Sequence, residues 1–493
     1  MSAVARLDLH ALPGLDAAQR PLVDPRSLGT GIVHLGIGAF HRAHQAVFTE
    51  EAIAAAGGDW GICGVSQRSR GVVDQLRPQD GLYSVLERGE RSSVRVAGAV
   101  RDLLFAAEEG ERLQALLAAP GTRLVTLTVT EKGYRHDPAT GRLRRSDPEV
   151  AADLSGNGLP RTVVGQLVRG LAARRAADAG PITLLSCDNL PANGEVLRGL
   201  VGDFCAALPA AEGEALAAWI TESVRFPSSM VDRIVPATTD EDRAQVARLL
   251  GYDDHGVVVT EPFRQWVVED DFAAGRPAWE RAGAVLTADV APYEAMKLRL
   301  LNGSHSTLAY LGALAGHAHV AEAIRDPGIA GVVAALMAQD VEPTLAVPDG
   351  FDVAAYQRQL IERFHNPALR HRTVQIAMDG TQKLPQRLLG TITERLAAGA
   401  EPRFACLGVA AWMRYVWVRQ AEDGTPLPVD DPLADRLGEL TAQAATPQAV
   451  ADALLSLEEV FGEDLPANER FRALVTEGLA ALTKGGVAAA TTP

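Results

Sequence analysis

Between Pro292 and Gly312 the chain reads PYEAMKLRLLNGSHSTLAYLG, a mostly apolar helical pattern interrupted by Lys297, Asn302 and His305. At about 100° per residue these three polar groups fall within an arc of roughly 140°, so one helix face can present them all to a single cleft. Partial desolvation disfavours the charged form of a lysine, which moves Lys297 toward the range where it accepts a proton at neutral pH. The amide of Asn302 can donate to an oxygen that becomes negative during a reaction, and His305 can hold a neighbouring hydroxyl. A base, an oxyanion donor and a hydroxyl-orienting group together describe interconversion of an alcohol with a ketone. The plainer alternative is a lysine that snorkels to solvent beside two helix-filling polar residues.

Such chemistry needs a cofactor, and a second stretch supplies a place for one. Gly36-Ile37-Gly38 follows the apolar run GIVHL and precedes a helical pattern. That is where a dinucleotide fold requires a tight turn and bare backbone against a pyrophosphate. His41 stands where the third glycine of the fingerprint would be, so the motif is only GxG and gains its meaning from the strand, turn and helix around it. Many such folds end their second strand on an acid that binds the adenosine ribose. Here that region reads Ser66-Gln67-Arg68-Ser69-Arg70, and its arginines either favour a 2′-phosphate or lie solvated. NAD is the expected cofactor, with NADP as the alternative.

The elements that position these groups are read outward from them. Strand candidates lie at Trp60 to Ser66, at SVRVAGAV, at Leu124 to Thr130 and at Ile182 to Asp188, with a helical stretch from Thr162 to Ala177. Strands separated by helices predict a doubly wound, largely parallel sheet. After about Val290 long helical periods take over, with Pro and Gly at the breaks. The expected organisation is an α/β N-terminal Rossmann-type domain that binds NAD(P) over residues 1–288, followed by a mostly α-helical C-terminal domain over 289–493 that carries substrate and catalytic groups. The closing GGVAAATTP is expected to fray.

The 493 residues carry 47% hydrophobic and 22% charged side chains, the composition of a globular enzyme rather than a disordered chain. A net charge of −15 without a dense Lys/Arg run disfavours nucleic acid or an anionic membrane as partner, leaving small molecules. Cys63, Cys187, Cys205 and Cys406 are widely spaced and form no CxxC pair, which predicts reduced thiols in the cytoplasm. The segment MSAVARLDLHALPGLDAAQRP lacks a leader pattern, and no apolar run is long enough to span a membrane.

Several ordered stretches, GIVHLGIGAFHRAHQA, TVTEKGY, SCDNLPANG, FPSSMVDRIVP, TEPFRQWVVEDDF and KLRLLNGSHS, together resemble the polyol-specific long-chain dehydrogenases, the mannitol dehydrogenase family. The resemblance covers about residues 31 to 390. It implies an enzyme that interconverts a sugar alcohol or aldonate with its ketose or keto-acid, using a nicotinamide coenzyme and no metal, with the active site between two domains. Residue by residue it implies Lys297 as general base and Asn193 and Asn302 as the oxyanion pocket. It places His305 and Lys383 at the substrate, Asp232 near the proton path and Glu294 on the way to solvent. Gly36, Gly38, Phe40, Arg68 and Glu131 are the expected cofactor contacts, and the chain is expected to act as a monomer.

The substrate turns on RFHNPALRHRTVQIAMDGTQKLPQR, from Arg363 to Arg387. Mannitol 2-dehydrogenases tend to carry arginine where this chain has Gln375, and HRTVQIAMDG resembles the fructuronate reductases, or D-mannonate oxidoreductases. Arg372 can grip a carboxylate with two charge-assisted hydrogen bonds, unless Arg370, His371, Arg372 and Arg387 simply form an exposed basic face. The expected reaction is therefore D-mannonate with D-fructuronate. D-mannitol with D-fructose, and the mannitol-1-phosphate 5-dehydrogenase reaction, are the alternatives. His41, His44, His317 and His319 lack a carboxylate or Cys partner at metal-binding spacing. The rival classes are a Cys187 hydrolase and a nucleotide-binding regulator without turnover.

Overall fold

The apolar runs of the first half form one parallel sheet. In the computed structural model, which describes residues 4–89, 91–137 and 140–492, the strands are β1 (Thr30–Leu35), β2 (Gly61–Ser66), β3 (Val100–Phe105), β4 (Leu124–Leu127), β5 (Ile182–Ser186) and β6 (Val224–Arg225). Their order is β3-β2-β1-β4-β5-β6, and every neighbouring pair is parallel. Both faces are covered, so the strands read as continuous apolar runs rather than alternating ones. The pleat still sorts them. Val33, Leu35, Val125 and Leu127 enter one core, and Ile32, Ile62, Leu124 and Leu185 enter the other. Helices α1 (Ala39–Ala43) and α2 (Gln45–Ala56) follow β1, α3 (Val163–Ala176) precedes β5 and α4 (Asn193–Cys205) follows it.

SVRVAGAV, expected as one strand, is two. Ser93–Ala97 pairs with Tyr83–Glu87 in a separate three-stranded sheet, and β3 begins at Val100. The cause is the buried carboxylate of Glu50, which accepts the backbone N–H of Gly98 (2.6 Å) and Ala99 (3.1 Å) and so takes donors a continuing ladder would use. A further small sheet joins Ser229–Asp232, Gln265–Glu269 and Val285–Thr287. Strands β4 and β5 also stop earlier than the runs Leu124 to Thr130 and Ile182 to Asp188 suggest, because residues 128–130 and 187–188 turn away into side-chain and backbone contacts of their own.

The chain divides into two compact units, Met1–Ala291 and Pro292–Pro493. In the second, every described helix or strand element is helical. Its centre is α5 (Ser304–Leu314), buried along its whole length, which packs on α6 (Arg403–Val418); α6 in turn packs on α7 (Glu469–Ala490). The tail expected to fray is instead the end of α7. The helix breaks at Gly486 (φ +70°), where the Val487 N–H reaches Glu422 Oε1 (2.6 Å), and resumes to Ala490. Residues 1–3 and Pro493, read above within the terminal segments, lie outside the described residues. Among the described residues no helix is long and apolar enough to cross a membrane.

Candidate active site

In the first unit, β1 delivers its chain end to Gly36 and Gly38. Gly36 has φ +103°, and a Cβ there would collide with the carbonyl oxygen of Thr128, so glycine is required twice over. A Cβ at Gly38 would meet only the Gly36 carbonyl oxygen, at 3.8 Å. The chain's own packing leaves that backbone bare, which is the space a dinucleotide pyrophosphate needs; the residues present fit that group.

The absent third glycine has a physical counterpart. His41 stacks on His34 of β1 with ring centroids 3.3 Å apart, so the short helix α1 sits on the strand at ring-stacking distance instead of backbone contact. His34 Nε2 lies 3.1 Å from the Gly36 carbonyl and 2.9 Å from Thr128 Oγ1. A carbonyl only accepts, so Nε2 carries the proton and Nδ1 accepts from the Thr126 hydroxyl (2.7 Å). Burial drives His34 and His44 down to about 3 and His41 well below its ordinary value, so all three rings are neutral. Phe40 stacks on His44, and Glu131 is exposed on the segment after β4. Beyond β2, Arg70 is tied to Asp74 and Glu108, whereas the exposed Arg68 side chain has no partner among the described residues. No acid occupies residues 66–70.

Asn193 opens α4 and is fully buried. Its amide hydrogens go to the carbonyls of Asp188 (2.9 Å) and Ser229 (2.8 Å), and its oxygen accepts the Ser229 N–H (3.0 Å). The group expected to donate to an oxyanion is thus spent on joining two chain segments. Asp232 ends the strand Ser229–Asp232 and is 5% exposed. The next residue, Arg233, is a brace that sequence reading missed: its guanidinium donates to the carbonyls of Ala43 and Glu261. Cys187 is buried and its thiol is pushed up by burial, which removes the nucleophile a hydrolase reading needs. Among the described residues no three His, Cys, Asp or Glu side chains gather as metal ligands.

In the second unit the expected catalytic stretch is helical, but not uniformly α. Lys297–Gly303 forms a π-helical segment continuous with α5, and its i→i+5 hydrogen bonding stacks Lys297 over Asn302 more closely than α geometry would. Lys297 is 8% exposed and His305 9%; Glu294 and Asn302 are half-buried. The Asn302 amide has no hydrogen-bond partner among the described residues. The His305 ring stacks on Phe364 (5.3 Å) and meets His371 edge-on (4.9 Å), and its Nε2 is buried without a partner.

A second π-helical segment, Pro385–Leu389, packs against the first; a Cβ on Gly303 would lie 2.7 Å from the Arg387 carbonyl oxygen, which explains the glycine of NGS. Arg387 makes one side-chain hydrogen bond, to Ser306 Oγ (2.9 Å), and no ion pair among the described residues. Lys383 donates to the carbonyls of Ile376 (3.3 Å) and Met378 (2.5 Å); burial, then the charge of Arg387, brings it down to about 8. His371 Nδ1 is buried and unpartnered. Burial first, then the charges of His371, Arg387, Arg363 and Lys383, hold His305 well below its ordinary value. Arg372 and Gln375, by contrast, are exposed. The sequence left open an exposed basic face that included Arg387 and His371; their contacts turn both inward.

Family comparisons bear on both units. The mannitol dehydrogenase Rossmann domain matches residues 30–281, and the mannitol dehydrogenase C-terminal domain matches residues 289–483. The chain belongs to the mannitol dehydrogenase family. It is an oxidoreductase of that family, with the Rossmann sheet and helical second half expected of it. Among relatives, a D-mannonate oxidoreductase of Escherichia coli is 44% identical over 95% of this chain and 96% of its own length. Among solved structures, the Pseudomonas fluorescens mannitol 2-dehydrogenase ternary complex with NAD and D-mannitol matches with a TM-score of 0.86 and 39% identity, covering 99% of this chain and 98% of that one. A D-sorbitol dehydrogenase in substrate-free form matches with a TM-score of 0.89 and 32% identity, covering 99% and 100%.

Proposed function

We propose that this oxidoreductase interconverts D-mannonate and D-fructuronate with NAD, at the secondary carbinol carbon beside the terminal CH2OH group. The observation that carries the substrate class is the set around His305. Arg387 has donors to spare, Lys383 lies beside it, and the buried nitrogens His305 Nε2 and His371 Nδ1 have no partner among the described residues. A guanidinium left short of acceptors costs free energy, and an anionic substrate group supplies the acceptor Arg387 lacks. A neutral hexitol offers hydroxyls but no charge. The carboxylate is assigned to Arg387 and Lys383 rather than to the exposed Arg372. The 44% identity to a D-mannonate oxidoreductase supports the same reading.

In the oxidative direction the neutral amine of Lys297 takes the proton of the substrate hydroxyl. The nicotinamide, when bound, accepts the hydride from the same carbon. Asn302 donates to the oxygen as it becomes an alkoxide, and His305 holds a neighbouring hydroxyl. Glu294 passes the proton onward from Lys297. Asn193 contributes by fixing the backbone of Asp188 and Ser229, since its own donors are engaged. Reduction follows the same path in reverse, with protonated Lys297 returning the proton. For the coenzyme, Gly36, Gly38, Phe40 and Glu131 line the dinucleotide side, and the unpaired Arg68, with no acid nearby in residues 66–70, also accommodates a 2′-phosphate.

Initial rates of NADH oxidation by the purified protein with D-fructuronate, D-fructose and D-fructose 6-phosphate test the assignment. Strong preference for fructuronate is expected. Preference for fructose makes the protein a mannitol 2-dehydrogenase, and preference for the phosphate moves it to the third alternative.

A further inference from the structure

A single carboxylate holds the peptide that leaves β4. The strand ends at Leu127, Thr128 N–H still donates to the Leu35 carbonyl (2.9 Å), and the Thr128 carbonyl lies against Gly36. Two residues on, Thr130 has φ +67° and ψ 161°, a strained region that a β-branched residue occupies only where its surroundings over-determine it. Those surroundings are Asp188, 8% exposed on the segment after β5. Its carboxylate accepts the Thr130 N–H (2.8 Å), the Val129 N–H (3.1 Å) and the Tyr134 hydroxyl (2.8 Å). Tyr134 has one proton and gives it to the carboxylate, so Ser186 is the donor in the 2.7 Å contact between their hydroxyl groups. The Cys187 N–H adds a bond to the Leu127 carbonyl (2.8 Å).

This strained, clamped turn sits at a particular place. The strand order reverses between β1 and β4, and residues 36–38 and 128–131 leave the sheet side by side at that point. Open α/β sheets bind dinucleotides in the crevice at such a reversal, the β1 half taking the adenosine side and the β4 half the nicotinamide side. The Thr130 and Glu131 side chains are exposed, so the clamp orders backbone while leaving the outer surface open.

We infer that Asp188 is a positioning residue for the coenzyme: by holding Val129 and Thr130 it presets the 128–131 backbone that receives the nicotinamide half of the dinucleotide. The inference rests on the dinucleotide reading above, and its test separates the two. NADH and ADP binding to the wild-type protein are measured by titration calorimetry; binding of neither overturns the coenzyme reading and this inference with it. Given wild-type binding, Asp188→Asn places an amide where two acceptor oxygens are needed. It is expected to raise the NADH dissociation constant at least about tenfold while that of ADP, which lacks the nicotinamide half, stays within about twofold. Adding Thr130→Gly removes the strain the carboxylate opposes, and is expected to recover several-fold of the lost NADH affinity. A role confined to stability predicts a lower Tm with both dissociation constants unchanged, which overturns the inference, as does equal weakening of both ligands. Should Asp188→Asn not fold, Tyr134→Phe keeps both backbone anchors and removes the hydroxyl. A two- to fivefold loss for NADH alone supports the inference, and no loss or an equal loss for ADP contradicts it.

Discussion

Asn193 and Asn302 were paired by the resemblance as two halves of one oxyanion pocket, yet the units that carry them treat them differently. In the first unit three polar side chains at the sheet end are engaged, where Asn193 ties Asp188 to Ser229, His34 ties Thr126 to Gly36, and Asp188 ties residues 129 and 130, although His41 and Gln45 just beyond β1 keep buried side-chain atoms with no partner among the described residues. In the second unit the polar groups on and near α5 are left wanting, with Asn302, His305 Nε2 and His371 Nδ1 all lacking partners among the described residues. A satisfied buried network fixes backbone, whereas an unpartnered polar group keeps the capacity to bond a ligand. The comparison teaches that residues of one type in equally good motifs do opposite work, and that hydrogen-bond accounting tells them apart.

The sharpest way to break this contrast is to remove the base. Lys297→Ala is expected to lower turnover by about 10²–10⁴-fold, the range of general acid–base catalysis, while leaving NADH binding nearly unchanged; a variant with wild-type turnover removes lysine from the role. Next comes the asparagine pair. Asn302→Ala is expected to cost about 10²–10³-fold in kcat with little change in Tm. Asn193→Ala strands three buried backbone partners and is expected to cost about 2–4 kcal/mol of stability, read by chemical denaturation. Equal and opposite results would swap the two roles.

The neutral histidines of the first unit give a pH signature in stability, to which the buried His305 of the second unit adds in the same direction. His34 and His44 sit near 3 in the folded protein against 6.5 when unfolded, so the unfolded state binds protons first as the pH falls. Their contribution is complete above about pH 6.5 and is lost on acidification toward 3, at about 1.4 kcal/mol per pH unit for each ring. Thermal unfolding at pH 7, 6 and 5 should show Tm falling with acid; a flat profile contradicts buried neutral rings. The second unit has a further signature in binding. Lys383, at about 8, is cationic below that pH and neutral above it, so KM for a keto-acid should rise several-fold between pH 7 and 9 while KM for fructose does not. The smallest effect is at the surface: Arg68→Ala is expected to weaken use of NADPH several-fold relative to NADH, checked by paired kcat/KM values.

Much of this was legible in the residues. The glycine turn, the buried strands and the Lys297, Asn302 and His305 pattern each follow from local periodicity. What was not legible depends on long-range contacts. Glu50 splitting SVRVAGAV acts across 48 residues, and the Asp188 clamp joins residues 58 and 59 apart in sequence. The π-helical turn at Lys297–Gly303 has no sequence period of its own, and the inward course of Arg387 was hidden because an arginine in a polar stretch reads as solvated. A polar residue inside the run GIVHL was a signal for His34 that periodicity alone passes over.

The central claim is that the spare donors of Arg387 beside α5 await a carboxylate. The most direct measurement is the ratio of kcat/KM for D-fructuronate to that for D-fructose, in the wild-type protein and in Arg387→Met. The account predicts a wild-type ratio well above one that falls at least about tenfold in the variant, with fructose turnover little changed. A ratio unaffected by the substitution would contradict it.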